Sequence, residues 1–351
     1  LISDSPPEGE TFHSPEGGKF HSFNPRSGMS GPLSPPPYTS RFLHMHGTVV
    51  RNTGSSYIVR TDDGQMVECR VKGNFRLKGI RTTNPVAVGD GVTVRDDGEW
   101  ITAIDPRRNY IIRKASNLSK QSHILAANID VALLVVTVAR PETSTTFIDR
   151  FLASAEAYSV PVVIVFNKTD DLCPEERDTV DYLTLLYTHI GYEVLHISAT
   201  QGTGIDALKA QMLGKVTLLA GHSGVGKSTL INRLIPGLNI RTAEISEAHG
   251  TGMHTTTFSA LYDLPEGGSV IDIPGIKGFG TFDMEPEEIA HYFREIFETG
   301  RQCRFDNCTH THEPGCAVLQ AIETHQIAPS RYQSYLSMLN DKDEGKYRGD
   351  D

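Results

Sequence analysis

The stretch Gly221-His222-Ser223-Gly224-Val225-Gly226-Lys227-Ser228-Thr229 constrains this chain more than any other. It fits G-x-x-x-x-G-K-[ST], a loop whose glycines let backbone N–H groups turn inward around phosphates while the following helix start adds partial positive charge. The context fits as well. Val216-Thr217-Leu218-Leu219-Ala220 reads as a buried strand before it, and Leu230 to Ile235 as a helix ended near Pro236-Gly237. In such a loop Lys227 reaches the β- and γ-phosphates, the Ser228 hydroxyl holds Mg²⁺, and Ser223, Gly224, Val225, Gly226 and Thr229 line the phosphates. A glycine-rich turn that merely contains Lys-Ser would not need a strand on one side and a helix on the other.

From Ala127 onward strands alternate with helices, the pattern of a mostly parallel α/β sheet. Residues 129–136 read as a central buried strand, 145–158 as a helix, and 160–166 as the next strand. That strand runs into Asn167-Lys168-Thr169-Asp170. Asp170 can accept hydrogen bonds from the guanine N1–H and 2-amino group, a donor pair that adenine does not present. Asn167 holds the loop, and the Lys168 stem lies along the base. Asn-Lys-x-Asp alone is also an ordinary helix-capping loop; its weight comes from the P-loop. One strand later, Ser198 and Ala199 open a Gly-rich turn in which the Ala199 N–H can meet guanine O6.

After the P-loop helix, the segment Gly250 to Thr257 suits a switch whose threonine completes a Mg²⁺ shell when a γ-phosphate is present. Thr256 is favoured, with Thr255 next. Ser269 to Gly275 reads as a strand ending in D-x-P-G, where Asp272 faces Mg²⁺ and the Gly275 N–H senses the γ-phosphate. Ile276 stands where a Ras-type enzyme keeps a water-orienting glutamine, so unassisted hydrolysis is expected to be slow. His254 is the internal candidate for that task, with a structural role equally open. The base-reading loops precede the phosphate loop here. A circular permutation accommodates that order when the termini of the parent fold lie close together.

Other regions read differently. Residues 1–43 are rich in Pro, Gly and Ser without apolar periodicity, as expected of a disordered leader or cloning remnant, with Met45 a candidate natural start. Residues 44–115 show five short strands (47–51, 56–60, 66–71, 92–94 and 100–104), the texture of a small barrel of the OB type. This part carries 12 Lys and Arg against 8 Asp and Glu, although the whole chain stands at −10. Arg70, Lys72, Arg76, Lys78 and Arg81 surround Phe75, which suits RNA phosphates beside a stacking ring and equally a solvated basic loop. Residues 286–298 and 319–335 read as helices. Between them Cys303-x4-Cys308-x-His310-x5-Cys316 supplies the donors of a closed structural Zn²⁺ site, with His312 as a rival for His310. Clustered cysteines without a disulfide framework point to a reducing compartment, hence the cytoplasm, and the longest apolar run, Val131 to Ala139, is too short to span a bilayer.

Together these residues resemble the RsgA/YjeQ family, the ribosome small-subunit-dependent GTPases. The likeness spans roughly Met45 to Leu339 and rests on Gly73-Asn74-Phe75-Arg76, NKTD, SATQGTG, GHSGVGKST, HTTT, DIPG and CTHTHEPGC. The resemblance implies an OB-type RNA-binding barrel (44–115), a circularly permuted GTPase (116–283) and a zinc-binding helical module (284–351). It implies GTP and GDP as ligands, Mg²⁺ and one structural Zn²⁺, and a monomer that binds the 30S subunit and its 16S rRNA late in maturation, with turnover stimulated by the subunit. Three departures stand out: Met253 in place of a basic residue, Ile273 in place of a small hydroxyl, and Gly224 where potassium-activated GTPases carry Asn. Because D-x-P-G lies just before the zinc module, nucleotide state is expected to tilt that module. Two other readings compete: a constitutive RNA-binding protein with a vestigial nucleotide site, and a permuted GTPase acting on the large subunit.

Overall fold

The computed structural model describes residues 44–71, 85–95, 97–114, 122–240, 259–273 and 284–340, all within one compact unit. The first five strands are β1 (His44–Asn52), β2 (Tyr57–Thr61), β3 (Met66–Val71), β4 (Gly91–Arg95) and β5 (Trp100–Ile104). They close into a barrel in the ring order β1-β2-β3-β5-β4-β1, with only β3 and β5 parallel. Alternation makes this possible. Val49, Val59, Cys69, Val92, Val94 and Ile101 fill the interior while their neighbours along each strand face outward. The Asp62-Asp63-Gly64 turn joins β2 to β3, with Gly64 at φ +88, a conformation that costs glycine nothing. The basic cluster around Phe75 lies outside the described residues except for Arg70.

A hairpin that the sequence did not suggest follows: β6 (Tyr110–Lys114) pairs antiparallel with β7 (Ser122–Ala127) in a sheet of its own. The expected division at 115/116 falls between these two paired strands. The chain then enters the α/β layer: β8 (Val131–Val136), α1 (Thr145–Ala157), β9 (Val162–Phe166), α2 (Pro174–Ile190), β10 (Glu193–His196), α3 (Ile205–Met212), β11 (Val216–Ala220), α4 (Lys227–Leu234), β12 (Ala260–Asp263) and β13 (Ser269–Asp272). The spatial order is β10-β9-β8-β11-β13-β12, parallel except for β12. Side chains of β8 alternate between two cores. Ala132, Leu134 and Val136 pack on one face, and Val131, Leu133 and Val135 on the other, as a sheet covered by helices on both sides requires. β11 sits between β8 and β13, so the late P-loop strand occupies the middle of the sheet.

The barrel continues this sheet. Arg51 of β1 pairs with Ala260 of β12, the Asn52 N–H donates to the Ser259 carbonyl at 3.2 Å, and Arg60 forms an ion pair with Asp263.

The C-terminal module holds α5 (Pro286–Ile289), a 3-10 turn (Ala290–Tyr292), α6 (Arg294–Gly300), α7 (Ala317–Glu323) and α8 (Pro329–Leu339). The single helix expected over 286–298 is broken at Phe293 (φ −110, ψ 98). There the chain leaves helical geometry, and the ring lies fully buried, edge-on to Tyr335 at 5.7 Å between centroids. The helix expected over 319–335 is likewise two helices. His325 adopts φ +59, and Pro329, which cannot donate to a preceding turn, opens α8. Among the described residues no helix is long and apolar enough to cross a membrane.

Candidate active site and metal centre

The NKxD, SAT, P-loop and D-x-P-G segments follow β9, β10, β11 and β13, all at the carboxyl ends of parallel strands, where open α/β sheets place ligands. The P-loop turn is tight for an identifiable reason. A Cβ at Gly221 (φ +142) would lie 2.3 Å from the Val135 carbonyl oxygen, and one at Gly226 (φ +100) 2.4 Å from the Asn167 Nδ2. Only glycine lets the P-loop lie this close to its neighbours.

Lys227 opens α4 and is 9 % exposed. Its ammonium crosses the loop to donate to the Gly221 and His222 carbonyls at 2.8 and 2.7 Å. Burial pulls its pKa down to about 8, against an opposing pull from Asp272. Asp272 is buried and sits in register with Leu219 of the P-loop strand. A cation donor at the start of α4 and a carboxylate at the end of β13 therefore flank the loop, with Ser228 partly exposed beside them.

Asn167 ties the base-reading and phosphate loops together. Its buried amide donates to the Val225 carbonyl at 2.8 Å and accepts from the Ala199 N–H at 3.0 Å. Asp170 is exposed, and the hydroxyls of Ser198 and Thr200 hold its carboxyl below the usual range, so it stays an ionised acceptor. Ser198 also accepts from the Gln201 N–H at 3.0 Å, which shapes the turn. Lys168 takes φ +62 and its ammonium donates to the Arg140 carbonyl. The arrangement thus offers a donor-rich loop for phosphates, and across from it an ionised carboxylate beside a lysine stem. Thr255, Thr256, His254, Gly275 and Ile276 lie outside the described residues.

Two contacts have no motif to announce them. His222 stacks on Phe147, the third residue of α1, with centroids 3.7 Å apart, and burial, with Lys227 nearby, lowers the imidazole pKa. Pro141, in the loop between β8 and α1, lies against Gly224. Helix periodicity predicts α1, but nothing local says which of its residues meets the P-loop.

The second cluster is in the C-terminal module. The donor atoms of Cys303, Cys308, His310 and Cys316 all lie within 4.8 Å of one another. Zn–S bonds of about 2.3 Å and Zn–N of about 2.0–2.1 Å in a tetrahedron place sulfur pairs about 3.8 Å apart and sulfur–nitrogen pairs about 3.5 Å apart. The Cys303–Cys316 sulfurs are 3.8 Å apart, and His310 Nδ1 stands 3.5 and 3.4 Å from them. The donor set fits such an ion. His310 is buried, whereas the rival His312 is exposed and bonded through Nδ1 to the Thr311 hydroxyl. The supporting groups were not legible beforehand. Tyr332 and Tyr335 donate their hydroxyls to the His310 and Thr309 carbonyls at 2.7 Å, and Glu313 accepts from the Thr309 and Thr311 N–H groups at 2.7 and 2.9 Å. Burial would raise the Glu313 pKa, but the Thr309 hydroxyl and the Thr309 and His312 N–H groups hold it well below the carboxylate range.

Fold and site define a circularly permuted P-loop GTPase. A family model described as the RsgA N-terminal domain matches residues 46–103, and one described as RsgA GTPase matches 104–282. A Bacteroides fragilis protein named "Small ribosomal subunit biogenesis GTPase RsgA" is 64% identical over 307 residues, covering 87% of this chain and 99% of the relative. A Bacteroides thetaiotaomicron relative, named "Small ribosomal subunit biogenesis GTPase RsgA 2", is 62% identical over the same shares. Among solved structures, YjeQ from Thermotoga maritima superimposes with TM-score 0.66 at 36% identity, covering 85% of this chain and 98% of that one. YloQ, described as a circularly permuted GTPase, gives 0.62 at 27%, covering 87% and 96%. The chain belongs to the RsgA family.

Proposed function

We propose that this GTPase acts in small ribosomal subunit biogenesis. It binds the 30S subunit through 16S rRNA, hydrolyses GTP faster when bound, and works as a cytoplasmic monomer. One observation carries the reading: 64% identity across 99% of a relative named for that role. The basic residues that the sequence places between Arg70 and Arg81 and the C-terminal metal module are the candidate partner contacts, and the α/β layer supplies the nucleotide site. The working division is a barrel ending near Ile104, a GTPase module to about residue 283, and a C-terminal metal module. A vestigial site is disfavoured because Lys227, Asn167, Asp170 and Asp272 are all present, with Lys227 and Asp272 buried beside the P-loop and the Asn167 amide bonded to the Val225 carbonyl.

In this reading Asp170 accepts from guanine N1–H and the 2-amino group, Lys168 covers the ring, and the Ala199 N–H and Ser198 complete the base pocket. Gly221, Ser223, Gly224, Val225, Gly226 and Thr229 line the phosphates. Lys227 moves from the two loop carbonyls to the β- and γ-phosphates, exchanging neutral acceptors for charged ones. Mg²⁺ held by Ser228, Asp272 and Thr256 would neutralise charge developing on the phosphates. Thr255 and the Gly275 N–H contact the γ-phosphate, and His254 positions water. Because no glutamine follows Gly275, the bound subunit completes the site, which makes hydrolysis partner-dependent. The knuckle residues Cys303, Cys308, His310 and Cys316 hold Zn²⁺.

GTP turnover with and without purified 30S subunits tests this, with ATP and 50S subunits as controls. Strong stimulation by 30S alone is expected. Turnover indifferent to 30S, or raised equally by 50S, would remove the proposed partner and leave a permuted GTPase.

A further inference from the structure

The loop between β8 and α1 carries none of the recognised nucleotide-binding motifs, yet it touches both halves of the site. Pro141 lies against Gly224 of the P-loop, and the Arg140 carbonyl receives the Lys168 ammonium. Arg140 is held from its other end. Its Nη1 and Nη2 donate to the two Glu176 carboxylate oxygens, each at 2.8 Å, and its Nε donates to Asp171 at 3.1 Å. Its Nη2 also bonds the Asp171 carbonyl. Glu176 is itself fixed, since its Oε2 accepts the Cys173 N–H at the start of α2. The bidentate contact drops the Glu176 pKa to about 2, so the pair stays charged across the physiological range.

We propose that Arg140 is a positioning residue for guanine recognition: anchored on Asp171 and Glu176, it presents the backbone carbonyl that holds the Lys168 ammonium, and so keeps the lysine stem in place along the base. Arg140 acts in this proposal only through Lys168. Planar guanidinium forks fix direction as well as distance, which a lysine or glutamine at 140 could not reproduce. The inference rests on the reading of Asn167–Asp170 as the guanine loop.

The test is a double-mutant cycle of Arg140→Ala and Lys168→Ala, read as affinity for fluorescent GDP, as KM and kcat for GTP, and as competition by inorganic triphosphate. Arg140→Ala is expected to weaken GDP binding about fivefold, the upper range for a half-exposed ion pair, to raise KM with kcat unchanged, and to leave triphosphate affinity alone. In the Lys168→Ala background the same change should cost nothing further. Full additivity in the cycle, or equal losses for GDP and triphosphate, would overturn the role of Arg140 while sparing the guanine loop. Unchanged GDP affinity in Lys168→Ala would overturn the loop reading itself, and this inference with it.

Discussion

Lys227 shows how burial tunes one residue for its ligand. Desolvation lowers its pKa to about 8, and Asp272 opposes the shift. An unfolded lysine titrates near 10.4, so between these values the unfolded chain holds the proton more tightly than the folded one. Stability from this group therefore rises with pH from about 8 toward 10, and the charge is a cost to the nucleotide-free fold below about 8. Phosphates reverse the balance, because they favour the ammonium. GDP binding should take up a proton above pH 8 and none near pH 6.5, with affinity falling as pH rises through about 8. Calorimetric titration in buffers of differing ionisation enthalpy measures that uptake, and Lys227→Met should abolish it. The residues most legible in the sequence are these motif residues, whose chemistry is local to a loop. Arg140 was invisible because its partners, Asp171 and Glu176, lie more than 30 positions away and its useful atom is a carbonyl.

At the scale of elements, strands were read well wherever burial dictates composition. β11 and β8 are apolar almost throughout, and the barrel strands alternate cleanly. The β6–β7 hairpin escaped because no Asn-Gly or Gly-rich turn marks the connection. The C-terminal helices were read as too long, because apolar spacing does not record where a side chain such as Phe293 must leave the helix to reach the core. The metal cluster organises this region. Cys316 is the residue before α7, and Cys303 and Cys308 pack against the same core as Phe293 and Tyr335. Between Gly300 and Cys316 there is no regular element to hold the chain, so an ion held by the four donors would cross-link it, beside the bonds of Glu313, Tyr332 and Tyr335. Purified protein should contain about one zinc per chain, and Cys308→Ser should lose it and lower the unfolding midpoint of this module. Metal analysis by atomic absorption with a thermal melt decides; a midpoint unmoved by metal loss would assign the knuckle's order to Glu313 and the two tyrosines instead.

Across the whole molecule, α1 links the nucleotide site to the C-terminal module. Its first turn stacks Phe147 on His222, and two residues on Asp149 enters a buried pair with Arg331 of α8 at 2.8 Å. Arg331 also forks onto Glu295 of α6 at 2.6 and 3.0 Å, and Tyr187 of α2 donates to Asp149 at 2.9 Å. This junction bears on the expectation that nucleotide state tilts the zinc module. A module clamped to α1 by a desolvated ion pair cannot rotate alone; any tilt must carry α1, and with it the Phe147–His222 contact at the P-loop. Buried pairs are costly to break from one side, since the remaining charge keeps its desolvation penalty. Arg331→Met leaves Asp149 and Glu295 facing apolar surface. The expected loss is about 3–5 kcal/mol of the module's stability, and in scanning calorimetry the C-terminal transition should separate from that of the GTPase module. Adding Asp149→Leu and Glu295→Met should recover much of the loss, since an apolar set of similar volume can replace a buried ionic one. A single transition at the original temperature in Arg331→Met would mean that apolar contacts such as Phe293–Tyr335 carry the junction, and the module would then be free to hinge.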